Sequence, residues 1–84
     1  MKNFQIQIRV RFKEGILDPQ SQAIEAALQK LQFKSVEKVA CDKLFMIDLK
    51  AEDEGQAVQL GRQMANQLLA NVVMENFEVE LVSA

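Results

Sequence analysis

Few side chains in this 84-residue chain could carry out chemistry. It contains no histidine, the side chain that most often transfers protons near neutral pH and most often binds metals. Cys41 is the single thiol, and a cysteine nucleophile needs a base or a positive neighbour to form its thiolate. Because no imidazole is available as that base, packing in the core is the favoured interpretation of Cys41. Catalysis would then depend on carboxylates or lysines.

Charged side chains form small groups. Arg9 and Arg11 lie on the polar side of an alternating segment, and Lys43 follows Asp42 in a predicted turn. These cations could bind phosphate or pair with acids across an oligomer, although solvated surface pairs worth about 0–1 kcal/mol are commoner. The acidic run 52–54 could bind a cation. It also fits the positive end of a helix, an interpretation that needs no ligand.

Length and composition indicate one folded domain, residues 1–84. A chain of this size buries only about 60–65% of its unfolded surface, so association with copies or partners would add stability. Ten Lys and Arg against twelve Asp and Glu give a net charge of −2, which disfavours binding to nucleic acid or anionic membranes. No run of roughly 18 apolar residues, no signal peptide and no second cysteine are present, so we expect a cytoplasmic protein.

The first elements are defined by periodicity and capping. Alternate residues are apolar on a first strand, namely Phe4, Ile6, Ile8, Val10 and Phe12. Asp18 is a suitable N-cap and Pro19 a suitable first helical residue. The helix then runs from about Pro19 to Leu31, and its apolar stripe consists of Ile24, Ala27, Leu28 and Leu31.

The residue pattern in the second half of the chain predicts two strands, then a helix, then a last strand. A short strand carries Val39 and Cys41, the pair Asp42-Lys43 forms a tight turn, and the following strand alternates at Phe45, Ile47 and Leu49. The second helix extends to about Ala70 with Asn71 as its stop, through Ala57, Leu60, Gly61, Met64 and Leu68. The last strand alternates at Phe77, Val79 and Leu81.

The predicted order is therefore β-α-β-β-α-β, the α+β ferredoxin-like arrangement. We expect a four-stranded antiparallel sheet with two helices on one face and the other face bare. Leu44, Met46, Met74 and Val82 are placed on or beside that bare face. A cluster of apolar side chains on an uncovered sheet face suggests a contact surface.

The chain resembles the PurS family of phosphoribosylformylglycinamidine synthase subunits over essentially its whole length. The segment Lys13 to Gln20, with the sequence KEGILDPQ, matches the family between the first strand and the first helix. Further matches are the run 68–71 followed by Val73, and the ending 77–81. The middle of the chain also matches the family, at Val36, Val39 and Lys43.

The sequence departs from the family at four positions, where glycine or proline is often found: Ser21, Gln32, Asp42 and Val72. Non-glycine residues such as Gln32 and Asp42 tolerate positive φ less easily.

The resemblance implies a non-catalytic accessory subunit in purine biosynthesis. Its partners would be a glutaminase subunit, which releases ammonia, and a large synthetase subunit, which uses ATP to convert formylglycinamide ribonucleotide (FGAR) to formylglycinamidine ribonucleotide (FGAM). This chain would bridge the two and assist ammonia transfer, as a homodimer or a dimer of dimers. It would bind no cofactor itself, with ATP and Mg²⁺ held by the synthetase.

Candidate partner or oligomer contacts are polar, turn and outward-facing apolar residues: Arg9, Arg11, Lys13, Gly15, Asp18, Pro19, Lys43, Leu44, Met46, Asn71 and Met74. From the residues alone, the favoured interpretation of the loop from Gly15 to Pro19 is a capped strand-to-helix connection and not a partner contact.

The same topology hosts unrelated functions, so topology alone does not decide among them. An RNA-recognition domain would need aromatic residues on the bare face, where none is predicted. An acylphosphatase would need a glycine-bearing phosphate cradle after strand one, and Lys13-Glu14-Gly15 is a poor version of one. The main alternative is a small-ligand regulatory module of ACT-like topology, which binds effectors between paired copies.

Overall fold

The computed structural model describes residues 1–83 as three strands and two helices. The strands are β1 (Lys2–Phe12), β2 (Lys43–Ala51) and β3 (Glu75–Ser83). Helix α1 spans Pro19–Lys30 and α2 spans Glu54–Met64, continuing as one π-helical turn over Ala65–Leu69. Within the described residues, no helix is both long enough and apolar enough to cross a membrane.

The sheet is antiparallel with the order β2-β1-β3, so β1 is its centre. The apolar residues of β1 form the core: Ile6 and Ile8 are 0% exposed, and Phe4 and Val10 are also buried. The predicted alternation of β1 is therefore confirmed. The inward-facing residues of the two edge strands are half-buried around this core, including Phe45, Ile47, Leu49, Phe77, Val79 and Leu81.

Helix α2 covers the inner face of the sheet. Its N-cap is Asp53, whose carboxylate accepts a hydrogen bond from the Gln56 backbone N–H at 2.8 Å, so the helix-start interpretation of the acidic run is confirmed. Ala57 and Gly61 are buried against the strands. At Gly61 a Cβ would lie 2.6 Å from Ile6 Cδ1 and 2.9 Å from Val79 Cγ1, so the backbone of the helix lies directly on the sheet.

At the end of α2 the residue that faces the core is not the one that the predicted apolar stripe contains. The π-helical turn places an extra residue in the last turn, and the Ala70 N–H donates to the Ala65 carbonyl five residues back. As a result Leu69 packs against the core, whereas Leu68 is 83% exposed. The prediction of Leu68 on the apolar stripe was wrong because a constant 3.6-residue period was assumed.

The prediction of a four-stranded sheet was wrong, because the predicted second strand around Val39 and Cys41 belongs to no sheet. The N–H of Val39 donates to Glu25 Oε1 at 3.1 Å, and the N–H of Cys41 donates to Ser21 Oγ at 3.1 Å. Side chains of α1 thus take the hydrogen bonds that a neighbouring strand would have made. Asp42-Lys43 is not a hairpin turn, since Lys43 is the first residue of β2.

The prediction that both helices cover one face was also wrong. Helix α1 is not packed on the sheet, and its one buried residue is Ser21. Most of its apolar stripe is exposed, with Leu31 at 68%, and Phe33 just beyond it at 55%. We call residues 13–42 the arm. With the arm, the described chain measures 53 × 25 × 15 Å and has a radius of gyration of 16.5 Å, against about 12 Å for a compact domain of this length.

Gln32 ends α1 in a strained conformation and provides a stability prediction. Its φ is +76°, the left-handed region in which glycine has no steric penalty, so the concern raised by this departure from the family is confirmed. Asp42 does not have a positive φ, since Gln32 is the one non-glycine residue among residues 1–83 that does.

We expect Gln32→Gly to raise the free energy of unfolding by about 0.5–1 kcal/mol, measured by urea denaturation. Gln22→Gly at the end of the first turn of α1 is the control and should destabilise. Equal losses from both variants would contradict the strain argument.

Candidate functional site

Most candidate contacts converge where the arm leaves the sheet, a region that we call the arm junction. The Lys13 N–H donates to the Met74 carbonyl at 2.9 Å, which extends the pairing of β1 with β3 by one residue. Lys43 begins β2 at the same end of the sheet. The structure thus brings together six of the eleven predicted residues: Lys13, Gly15, Asp18, Lys43, Asn71 and Met74.

Glu75 organises the arm junction, although its role was not predicted. It is 6% exposed, its Oε1 accepts the Asn71 N–H at 2.8 Å, and its Oε2 lies 3.5 Å from Lys43 Nζ. The Glu75 N–H also donates to the Asn71 carbonyl at 2.7 Å. The sequence does indicate a paired acid here. Glu75 lies two residues before Phe77 and so faces inward, where a buried carboxylate needs a hydrogen-bonding or charged partner.

Asp18 and Ser21 connect the start of α1 to the returning end of the arm at Cys41. Asp18 caps α1 by accepting the Gln20 N–H at 3.0 Å, and it accepts the Ser21 hydroxyl at 2.5 Å. Ser21 Oγ in turn accepts the Cys41 N–H. Gly15 has φ +85°, which favours glycine. This geometry confirms the capped-connection interpretation of the loop, and it gives Ser21 a hydrogen bond that the family's usual glycine could not make.

Cys41 is a half-buried free thiol at the arm junction and not part of the core cluster. The prediction that it packs in the core was therefore wrong. The reason is that the segment predicted to carry Cys41 as a strand is not in the sheet.

Arg11 extends towards the same region, with its guanidinium 3.7 Å from Asp42 and 4.0 Å from Glu78. Within residues 1–83 no three His, Cys, Asp or Glu side chains are grouped as a metal site.

The outer face of the sheet carries the remaining candidates. Leu44 and Met46 are 52% and 49% exposed, and Val82 on β3 is 47% exposed. Arg9 lies between Leu44 and Glu78 in the register of the three strands. The predicted bare face is present, with Leu44 and Met46 on β2 and with acids on both edge strands, Asp48 on β2 and Glu78 and Glu80 on β3.

These features place the chain among small α+β domains with an uncovered sheet face and an arm projecting from one end, an architecture suited to contacts with other chains. The chain belongs to the PurS family: the family model described as "PurS: Phosphoribosylformylglycinamidine (FGAM) synthase" matches residues 5–83.

Individual relatives agree with the family assignment. The chain is 36% identical over 72 residues to the phosphoribosylformylglycinamidine synthase subunit PurS of Archaeoglobus fulgidus, covering 86% of this chain and 90% of the relative. It is 35% identical over 81 residues to the PurS subunit of Synechocystis, covering 96% and 81%.

Solved structures of the family share the fold. The PurS structure from Methanocaldococcus jannaschii has a TM-score of 0.85 at 27% identity and covers 96% of this chain and 98% of its own. A chain in the structure of PurLQS from Thermotoga maritima has a TM-score of 0.86 at 27% identity and covers 98% and 100%.

Proposed function

We propose that this chain is the PurS-type subunit of FGAM synthase in purine biosynthesis, and that it holds a glutaminase subunit and an ATP-dependent synthetase subunit together. The observation that carries the proposal is the match over the whole chain to a chain of the Thermotoga maritima PurLQS structure. The chain is an accessory subunit of a multi-subunit ligase and is not itself the catalyst. ATP and Mg²⁺ would be bound by the synthetase.

The chemistry of the amide transfer explains why a bridging subunit is useful. Ammonia released into neutral water is mostly protonated, and ammonium has no lone pair with which to attack an activated amide. A subunit that aligns the two active sites keeps ammonia out of bulk water and replaces a diffusional encounter by proximity. Conversion of FGAR to FGAM then needs no reactive group on the aligning subunit.

Two surfaces of this chain support such a role. The outer face of the sheet presents Leu44 and Met46 beside polar residues, and the arm exposes Leu17, Leu31 and Phe33. Exposed apolar residues gathered on a sheet face and on a projecting segment are typical of binding surfaces. We propose that at least one of these surfaces joins copies of the chain into a homodimer or a dimer of dimers, and that the assembly works in the cytoplasm.

Reconstitution of the enzyme tests the bridging role. Synthetase, glutaminase and this chain are mixed with FGAR, ATP and Mg²⁺, and FGAM is measured with either glutamine or ammonium chloride at raised pH as nitrogen donor. We expect omission of this chain to abolish most glutamine-dependent synthesis while the ammonium-dependent rate stays nearly unchanged. Equal glutamine-dependent rates with and without the chain would overturn the proposal.

A further inference from the structure

Strand β3 is an edge of the sheet with a neighbour on one side. The order β2-β1-β3 pairs it with β1, and no segment among residues 1–83 pairs with its other side. The Lys13 N–H donates to the Met74 carbonyl, and hydrogen-bonded pairs recur at every second residue of an antiparallel ladder. Even residues of β3 therefore bond to β1. The backbone N–H and C=O groups of Phe77, Val79 and Leu81 point to the free edge.

The usual protection of a sheet edge is missing along most of β3. Lysine, proline, an inward-facing charge or a bulge commonly prevents a further strand from adding to an edge. Residues 76–81, with the sequence NFEVEL, contain no lysine and no proline, and their inward residues are apolar. The inward acid Glu75 precedes this run, and the pairing irregularity follows Leu81. The free edge is thus regular over about 20 Å.

The inner side of β3 leaves apolar surface to be covered. Phe77, Val79 and Leu81 pack against the core but are only half-buried. The corresponding residues of the central strand, such as Ile8, are 0% exposed. A strand added beside β3 would bond to its free backbone groups and cover these side chains with its own inward residues. Recognition by strand addition uses this combination of main-chain bonds and alternate side chains.

The outer side of β3 is acidic. Glu78 and Glu80 are exposed and point to the bare face of the sheet. The side chain of Glu78 is 71% exposed, with the Arg11 guanidinium 4.0 Å away. Glu80 lies opposite Gln7 and has no ion pair among residues 1–83. Basic side chains on an added strand would therefore find two accessible carboxylates.

These acids disfavour a second copy of β3 as the added strand. Antiparallel pairing of two β3 strands over most of their length centres on Glu78, Val79 or Glu80. The first register sets two Glu78 side chains opposite each other, and the third does the same with Glu80. The register centred on Val79 sets Glu78 opposite Glu80 twice. Like charges directly opposite are destabilising, so the edge suits a strand of different sequence.

We propose that the free edge of β3 pairs with an extended segment of the synthetase subunit. In that segment, basic side chains lie beside Glu78 and Glu80 and alternate with apolar side chains on the inner side. The synthetase is favoured over the glutaminase because its substrates, ATP and FGAR, carry phosphate and require basic residues, whereas glutamine has no net charge. The inference rests on the proposed function and specifies one surface that holds the synthetase.

Hydrogen exchange of the unmodified chain tests the pairing. The chain is kept at one concentration, either alone, with the synthetase or with the glutaminase, and exchange is quenched and read residue by residue. In the chain alone, we expect the amides of Phe77, Val79 and Leu81 to exchange at least about 10-fold faster than those of Glu78 and Glu80. The synthetase should remove this alternation, because it supplies acceptors to the odd amides.

Charge reversal provides a second measurement. Glu80→Lys should weaken the binding of the synthetase by about 3-fold to 30-fold in titration calorimetry, because it sets a cation beside the basic segment. Glu52→Lys is the matched control: it makes the same change of charge at an exposed acid just after β2. Its affinity should stay within about 2-fold of the unmodified chain. Equal losses from both variants would contradict the charge complementarity.

The remaining outcomes separate the edge pairing from the proposed function. An alternation that persists while the synthetase is bound would overturn the edge pairing and leave the proposed function, which the reconstitution decides. Loss of the alternation with the glutaminase alone, or in the chain alone as its concentration rises, would give the edge to another occupant and overturn the proposal. A synthetase that does not bind the chain at all would overturn both.

Discussion

Gly61→Leu should lower the free energy of unfolding by about 3 kcal/mol, because the added side chain has no space between α2 and the sheet. Even a Cβ would lie 2.6 Å from Ile6 Cδ1 and 2.9 Å from Val79 Cγ1. Ile6 is 0% exposed and cannot move aside without disturbing the centre of β1. Overpacking a well-filled core costs about 1–3 kcal/mol, and a whole leucine lies at the upper end. Urea denaturation at one fixed chain concentration measures the loss.

Gly55 provides the matched control within the same helix. An added Cβ there meets only Asp53 Oδ1, at an ordinary distance of 3.4 Å. Gly55→Ala should therefore be neutral or slightly stabilising, whereas Gly61→Ala should destabilise despite the better helix propensity of alanine. If Gly61→Ala and Gly55→Ala have equal stability, the close approach of α2 to β1 is not as tight as the structure indicates.

Glu75→Ala is expected to cost about 2–3 kcal/mol and to loosen the arm junction. The change leaves the Asn71 N–H without its acceptor and Lys43 without its nearest acid, at a position only 6% exposed. An unsatisfied buried donor costs about 1–3 kcal/mol, and more where a charge is involved. Hydrogen exchange should also report faster exchange of the Asn71 amide relative to the amides of β1.

Two further substitutions separate the hydrogen bond from the charge. Glu75→Gln retains an oxygen acceptor for Asn71 and should lose about half as much stability as Glu75→Ala. Glu78→Ala removes a carboxylate whose side chain is 71% exposed and 4.0 Å from Arg11, and its effect should stay within about 0.5 kcal/mol. A Glu78→Ala loss as large as that of Glu75→Ala would show that Glu75 is no more important than a surface acid.

Local sequence signals were sufficient for features that depend on near neighbours along the chain. The alternation from Phe4 to Val10 predicted the buried strand, and the Asp18-Pro19 pair predicted the start of α1. The acidic run 52–54 predicted the start of α2 by its charge, and the structure shows that Asp53 is the N-cap. Periodicity and capping depend on neighbours a few residues away, and for this reason these predictions agree with the structure.

The candidate contacts were predicted as residue types but not as a site. Nothing local indicates that Lys13 meets Met74, or that Glu75 lies between Asn71 and Lys43, because these residues are brought together by the antiparallel order β2-β1-β3. Likewise, Leu69 rather than Leu68 packs against the core because of a π-helical turn, which a regular 3.6-residue period does not predict.

By itself the sequence determined the family, the alternation of β1, the N-cap of α1, and which side chains are apolar on each face. Only the tertiary structure showed that α1 and segment 36–42 extend away from their own sheet. The physical reason is that an alternating or helical pattern specifies the side of a segment that must be covered, while the covering surface is set by the packing of the whole chain. That surface need not belong to the same molecule.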